Sequence, residues 1–191
     1  MSVTDDFPVA RGALAGTAAW LAGYLVAYVW KAGEVAEAVE GIGFVSQLFG
    51  GEGVPAWKGV GWLFMNAHLV DIRFPTIAGG TRMLNFVTAE DGVSMAFLLI
   101  PPVVLLAAGF AVAYAERESA ETGPLAGAKA GTTLALGYLP LSVAAGFLTE
   151  HAIGSTEAAI APDPVTAVLL AGLVYPLAFG ALGGAASGAL D

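Results

Sequence analysis

Long apolar runs separated by acidic, glycine-rich or proline-marked breaks constrain this chain more than any other feature. A helix needs about 20 apolar residues to cross a hydrocarbon core about 30 Å thick. Five runs qualify, at about 9–30, 54–72, 93–114, 124–148 and 164–190. The expected fold is an all-α integral membrane protein. It is a bundle of about five transmembrane helices forming one membrane domain over residues 1–191, with one amphipathic surface helix at about 34–49.

Charge sharpens this reading. Only 12% of residues are charged and 57% are apolar, with a mean hydropathy of +0.76; soluble domains carry about 25% charged residues. Sixteen acids face seven bases, a net charge of −9, although membrane proteins ordinarily carry basic cytoplasmic loops. Acidic, lysine-poor loops with heavy use of Ala, Gly, Val and Thr fit a proteome adapted to molar salt, where a Debye length of about 3 Å mutes repulsion among acids. Without a basic patch, nucleic-acid binding is disfavoured. The absence of cysteine excludes disulfides, thiolate metal sites and cysteine nucleophiles.

The polar start Met1–Phe7, with Asp5 and Asp6, lacks the basic n-region of a secretory signal, so the run from Val9 to Trp30 reads as a retained first span. Tyr24, Tyr28 and Trp30 fall toward its far end, where amphipathic rings favour the interface. Gly12 and Gly16 form a GxxxG pair. Beyond it Val35, Val39, Ile42, Val45 and Phe49 recur at helical spacing with Glu34, Glu37 and Glu40 between them. That pattern predicts an amphipathic helix lying on the membrane or over the bundle. Residues 75–92 read as a loop turning at Gly79-Gly80, with 81–88 either a short hairpin or a loop on the membrane. Pro101-Pro102 predicts a kink in the third span and Pro140 one in the fourth, with a charged hinge at 116–121 between them. In the fifth span Gly180, Gly184 and Gly188 form a smooth stripe for close helix packing, against this chain or a second copy. Five spans put the termini on opposite sides. The base-free loop at 150–163 reads as external, and with it the N-terminus.

Functional interest centres on WKGVGWLFMNAHLVDIRFP, from Trp57 to Pro75, whose second half carries Asn66, His68, Asp71 and Arg73. His68 and Asp71 are three apart and share a helix face. Ionisable groups inside a membrane are a functional hypothesis by default, and a proton or ligand site here could draw on Glu150 and His151. The simpler reading is a helix-end pair, with Arg73 complementing the helix dipole and Asp71 held by His68. No catalytic residue stands out, because no motif places a base beside Ser46, Ser94, Ser142, Ser155 or Ser187. No Walker loop, dinucleotide fingerprint or HExxH is present, and no cofactor or metal is expected. The remaining readings are a structural or accessory membrane subunit, partnered by lipid and by a second copy or other subunits, and a small transporter or channel with a pathway near Asn66 and His68.

The opening PVARGALAG at 8–16, taken with GWLFMNAH at 61–68, resembles a family of uncharacterised multi-pass membrane proteins from haloarchaea. The resemblance covers nearly the whole chain. It implies a halophilic archaeal source and a cell-membrane location; the family has no assigned function, so no residue role is carried over.

Overall fold

A computed structural model describes residues 8–48, 50–76, 79–89, 93–117, 123–156 and 158–190. The expected polar start at 1–7, residue Phe49 and most of the 116–121 hinge lie outside them. Among the described residues, four helical segments are long and apolar enough to cross a membrane: Val9–Leu48, Met95–Glu116, Pro124–Leu148 and Pro164–Gly188.

The first departs from expectation. α1 (Val9–Leu48) is one helix of 40 residues, so the expected span at 9–30 and amphipathic helix at 34–49 are continuous. Lys31 and Glu34 look like a span's end in sequence, yet they form an i,i+3 ion pair of 2.6 Å on an unbroken helix. The outer half of α1 packs over α2 (Ala56–Asn66), burying Val35 and Val39 and leaving Glu34, Glu37 and Glu40 exposed.

The second expected span, 54–72, is not a span. α2 has 11 residues, about 16 Å at 1.5 Å per residue, roughly half a hydrocarbon core. The helix stops at a C-terminal turn in which Leu69 takes φ 60°. The Val70 amide donates to the Met65 carbonyl (3.1 Å) and the Leu69 amide to the Asn66 carbonyl (2.9 Å). This pair of bonds is the Schellman pattern, with leucine where glycine is usual. The chain then returns as β1 (Ile72–Pro75), which forms a hairpin with β2 (Thr81–Leu84), settling the ambiguity at 81–88. The acidic stretch after the fourth run contributes β3 (His151–Ala152) and β4 (Ala159–Pro162), completing an antiparallel sheet in the order β2-β1-β4-β3. Arg73 stands opposite Met83 on one side and Ala161 on the other.

The remaining segments place their prolines in first turns, except Pro140. A 3-10 turn at Met95–Leu99 leads into α3 (Ile100–Glu116), so Pro101 and Pro102 occupy its first turn rather than a kinked middle. α4 (Pro124–Thr132) and α5 (Ala135–Leu148) break at Thr133–Leu134, nearly two turns before Pro140, which sits inside α5. Thr132 and Thr133 both return hydroxyl bonds to carbonyls three residues back there, bonds that compete with regular helix. The last segment is a short turn α6 (Pro164–Thr166), a π-helix at Ala167–Val174, and α7 (Tyr175–Gly188) with Pro176 in its first turn.

α7 lies between α3 and α4. A Cβ at Gly180, Gly184 or Gly188 would collide with the carbonyls of Gly131, Gly127 and Gly123 respectively. The predicted stripe therefore meets a matching stripe of the same chain at the same four-residue spacing. Gly12 and Gly16 are likewise filled from within, against Thr133 and Leu134. The start of α1, the end of α3 and the end of α7 gather at one end of the bundle, through an Arg11–Glu116 ion pair of 2.6 Å and an Arg117 bond to the Ser187 carbonyl. At the other end the buried Ser46 of α1 accepts from the Gly154 amide (3.2 Å), so α1's far end touches the loop after α5. Among the described residues four span-length helices thus stand where five were expected, and residues 9 and 188 lie at the same end of the bundle.

Two expectations follow. The cysteine-free chain should show Glu37→Cys and Ser155→Cys reacting with an impermeant thiol reagent from one side and Leu190→Cys from the other; a five-span chain would put Glu37 and Ser155 on opposite sides. Gly184→Leu should lower stability by about 1–3 kcal/mol, the usual range for overpacking, seen as a lower melting temperature in detergent. An unchanged melting temperature would mean that the two backbones do not touch.

Candidate functional site

The four polar residues of the organising stretch separate into two groups. Asn66 and His68 are fully buried, whereas Asp71 and Arg73 belong to the returning chain and are only partly covered. His68 sits just past α2 and reaches back and across. Its Nδ1 lies 2.7 Å from the Phe64 carbonyl, which can only accept, so Nδ1 carries the proton. Its Nε2, 2.8 Å from the Tyr138 hydroxyl, then accepts from that O–H. Both ring nitrogens are occupied, and neither turns to Asp71. The expected His68–Asp71 pair is not made, because α2 ends before Asp71 and the helical i,i+3 spacing is lost.

Aromatic rings enclose the imidazole. Phe64 stands edge-on at 4.8 Å, Tyr175 lies at 5.0 Å and Tyr138 at 5.7 Å between centroids. The Tyr175 hydroxyl donates to the Ala67 carbonyl (3.4 Å). Tyr138 and Tyr175 come from near the middles of two span-length helices, so α2 delivers His68 deep into the bundle.

Asn66 closes the other side. Its amide nitrogen donates to the Val70 carbonyl (2.7 Å) and its oxygen accepts from the Phe86 amide (3.0 Å). Asn85 donates to the Asn66 carbonyl (3.3 Å). One side chain thus fastens the chain leaving α2 to the segment after β2.

Asp71 contributes its backbone carbonyl, which accepts from the Asp163 amide (2.9 Å) and continues the β1–β4 ladder. Glu150 and His151 do not join His68. Lys58 bonds to the Glu150 carbonyl, and His151 is buried in β3 near Glu52 and Lys58, with no partner for its Nε2. Burial chiefly, with a contribution from Lys58, holds the His151 imidazole below its ordinary range; Glu52 works the other way. Among the described residues no group of three or more His, Asp or Glu could hold a metal ion. Tyr138 and Tyr175 were not anticipated as neighbours of His68. The only cue in sequence is that each is a phenol in mid-span, where a buried hydroxyl must find a partner.

By fold the chain is a mostly helical protein with four span-length apolar helices and a small sheet at one end of the bundle. It belongs to a family of unknown function (DUF7978), whose profile matches residues 1–191. No curated protein and no solved structure matches it.

Tyr138→Phe should leave His68 Nε2 buried without a donor and cost about 1–3 kcal/mol, measured as a lower melting temperature. A second expectation concerns pH. A base whose pKa is lowered on folding binds fewer protons folded than unfolded, so stability is full above its ordinary pKa and falls as pH drops below it. The melting temperature should therefore fall as pH drops below the ordinary imidazole range, and His151→Gln should flatten that dependence. An identical pH profile in wild type and His151→Gln would show that the fold does not hold His151 neutral.

Proposed function

We propose that the protein is a structural or accessory subunit of the cell membrane in a halophilic archaeon. One observation carries the functional part of this reading: the polar groups that a cargo would need are saturated from within. His68 spends both nitrogens on Phe64 and Tyr138, Asn66 spends its amide on Val70 and Phe86, and neither residue reaches the surface. Intramembrane polar groups used this way fix the packing of a helix end, which is what a scaffold requires. A transport pathway past Asn66 and His68 would instead leave donors or acceptors facing water. The acidic surface, with net charge −9, supports the salt-adapted source, since screening at molar salt relieves its self-repulsion.

The glycine stripe of α7 is used inside the chain, so partners would meet other surfaces. The acidic exposed face of α1's outer half, with Glu34, Glu37 and Glu40, is the part of the molecule best placed to meet one. The test is affinity capture of the full chain from native membranes under mild detergent and molar salt. A stoichiometric membrane partner, or a second copy, is expected. A partnerless monomer whose reconstituted vesicles pass a solute, with the flux abolished in a folded His68→Gln variant, would replace this reading with the transport one.

A further inference from the structure

An apolar groove of about 530 Å³ runs between the outer half of α1, α2 and the side chains of Phe86, Ala89 and Val93. That size lies within the range of ligand-binding clefts. Its floor is Val35, Val39, Trp62, Leu63, Phe86 and Val93, and its charged residues are Lys31 and Glu34. Lys31 to Ile42 on α1 measures about 16 Å by the helical rise, which gives the groove the shape of a chain rather than of a compact head. Gly59 lies in the floor; a Cβ there would press on Val35 and Val39.

The ends of the groove say what enters it. At Lys31 it meets Trp30, which is partly exposed and whose ring lies 5.7 Å from Phe97. At Val93 it meets Met95 and Leu99, both well exposed. Val26 and Val29 of α1 are exposed just below. Exposed apolar residues of two span-length helices thus flank both ends of the groove among the described residues, with the Lys31–Glu34 pair at one end and Ser94 at the other. Lys31 is nearly covered, with 12% side-chain exposure, while Glu34 is 69% exposed, so the cation stands at the mouth and the carboxylate can turn aside to solvent.

We propose that this groove binds one hydrocarbon chain of a bilayer lipid, entering from the bilayer side and leaving its phosphate head beside Lys31. The inference concerns a site distinct from the His68 region and holds whether or not the protein has partners.

The test uses the purified full chain. Native mass spectrometry after a delipidating detergent wash should find one lipid retained per chain. Ala38→Trp, at an exposed groove position, should reduce its occupancy about tenfold, a change of about 1.4 kcal/mol. Gly41→Trp, on the same helix outside the groove with open space around it, should leave it unchanged. Should Ala38→Trp fail to fold, reconstitution into phosphatidylcholine brominated in one acyl chain gives an independent reading. Wild-type tryptophan emission should be quenched by more than that of Trp62→Phe, since Trp62 is 2% exposed and meets a chain only through the groove. No retained lipid, equal retention in Ala38→Trp, equal quenching, or a polypeptide held at the groove in place of lipid would each overturn the proposal.

Discussion

A helix that ends inside a low-dielectric interior leaves carbonyls with no water to accept from, and the architecture around α2 answers that requirement. The Schellman turn pairs two of the carbonyls, His68 takes a third at Phe64, Tyr175 a fourth at Ala67, and Asn85 adds a bond to Asn66. Three of these donors belong to the turn itself, at His68, Leu69 and Val70, and the others come from far along the chain, so the end of α2 collects the β2 segment, α7 and, through Tyr138, α5. Removing one donor exposes a buried acceptor rather than merely deleting a contact, which makes these bonds costlier to lose than to lack from the outset. Leu69 illustrates the same point from the backbone side. A leucine at φ 60° is disfavoured by about 1–2 kcal/mol, and it is held there because the turn it makes satisfies two amides and two carbonyls.

Elsewhere in the bundle helix contact rests on small residues rather than on interlocking large ones. Carbonyls of α4 lie where side chains of α7 would be, and the Gly109 position of α3 meets the Gly180 carbonyl. Between lipid and protein there is little hydrophobic gain from helix association, so dispersion at short range carries it. The aromatic residues are placed differently: Trp20, Tyr24 and Phe64 cluster where α2 meets α1, and Trp62 stacks edge-on against Phe74 of the sheet. Large rings fill the wedge where a short helix meets long ones.

Apolar runs in the sequence located the four long helices, because length and hydropathy are what a span requires. They misread the stretch from Trp57 to Pro75, since eleven helical residues followed by a buried turn and a strand are as apolar as a span. Periodicity cannot show a turn made by Leu69, which carries none of the usual glycine signal. The separation of α1 into two helices failed for the opposite reason: charge at Lys31 and Glu34 suggested an exit from the bilayer, but leaving the bilayer does not require ending the helix. The α7 stripe was legible as a packing surface but its partner was not: Gly123, Gly127 and Gly131 repeat its spacing, yet spacing does not say whether a stripe meets its own chain or a second copy. The surroundings of His68 were not, because they depend on Tyr138 and Tyr175, each far along the chain. Of the four polar residues singled out, the sequence could mark Asn66 and His68 but could not show that Asp71 and Arg73 would be carried away from them by the turn.

α1 runs unbroken for 40 residues, about 60 Å by the helical rise, and its two halves keep different company. One half packs on α3, on the α4–α5 segment and, through Trp20 and Tyr24, on Phe64 of α2; the other forms a wall of the groove over α2. No hinge separates the halves, so the line that the inner half takes through the bundle also fixes where Val35, Val39 and Ile42 stand over α2, and the outer wall of the groove inherits its position from helix contacts made about 30 Å away.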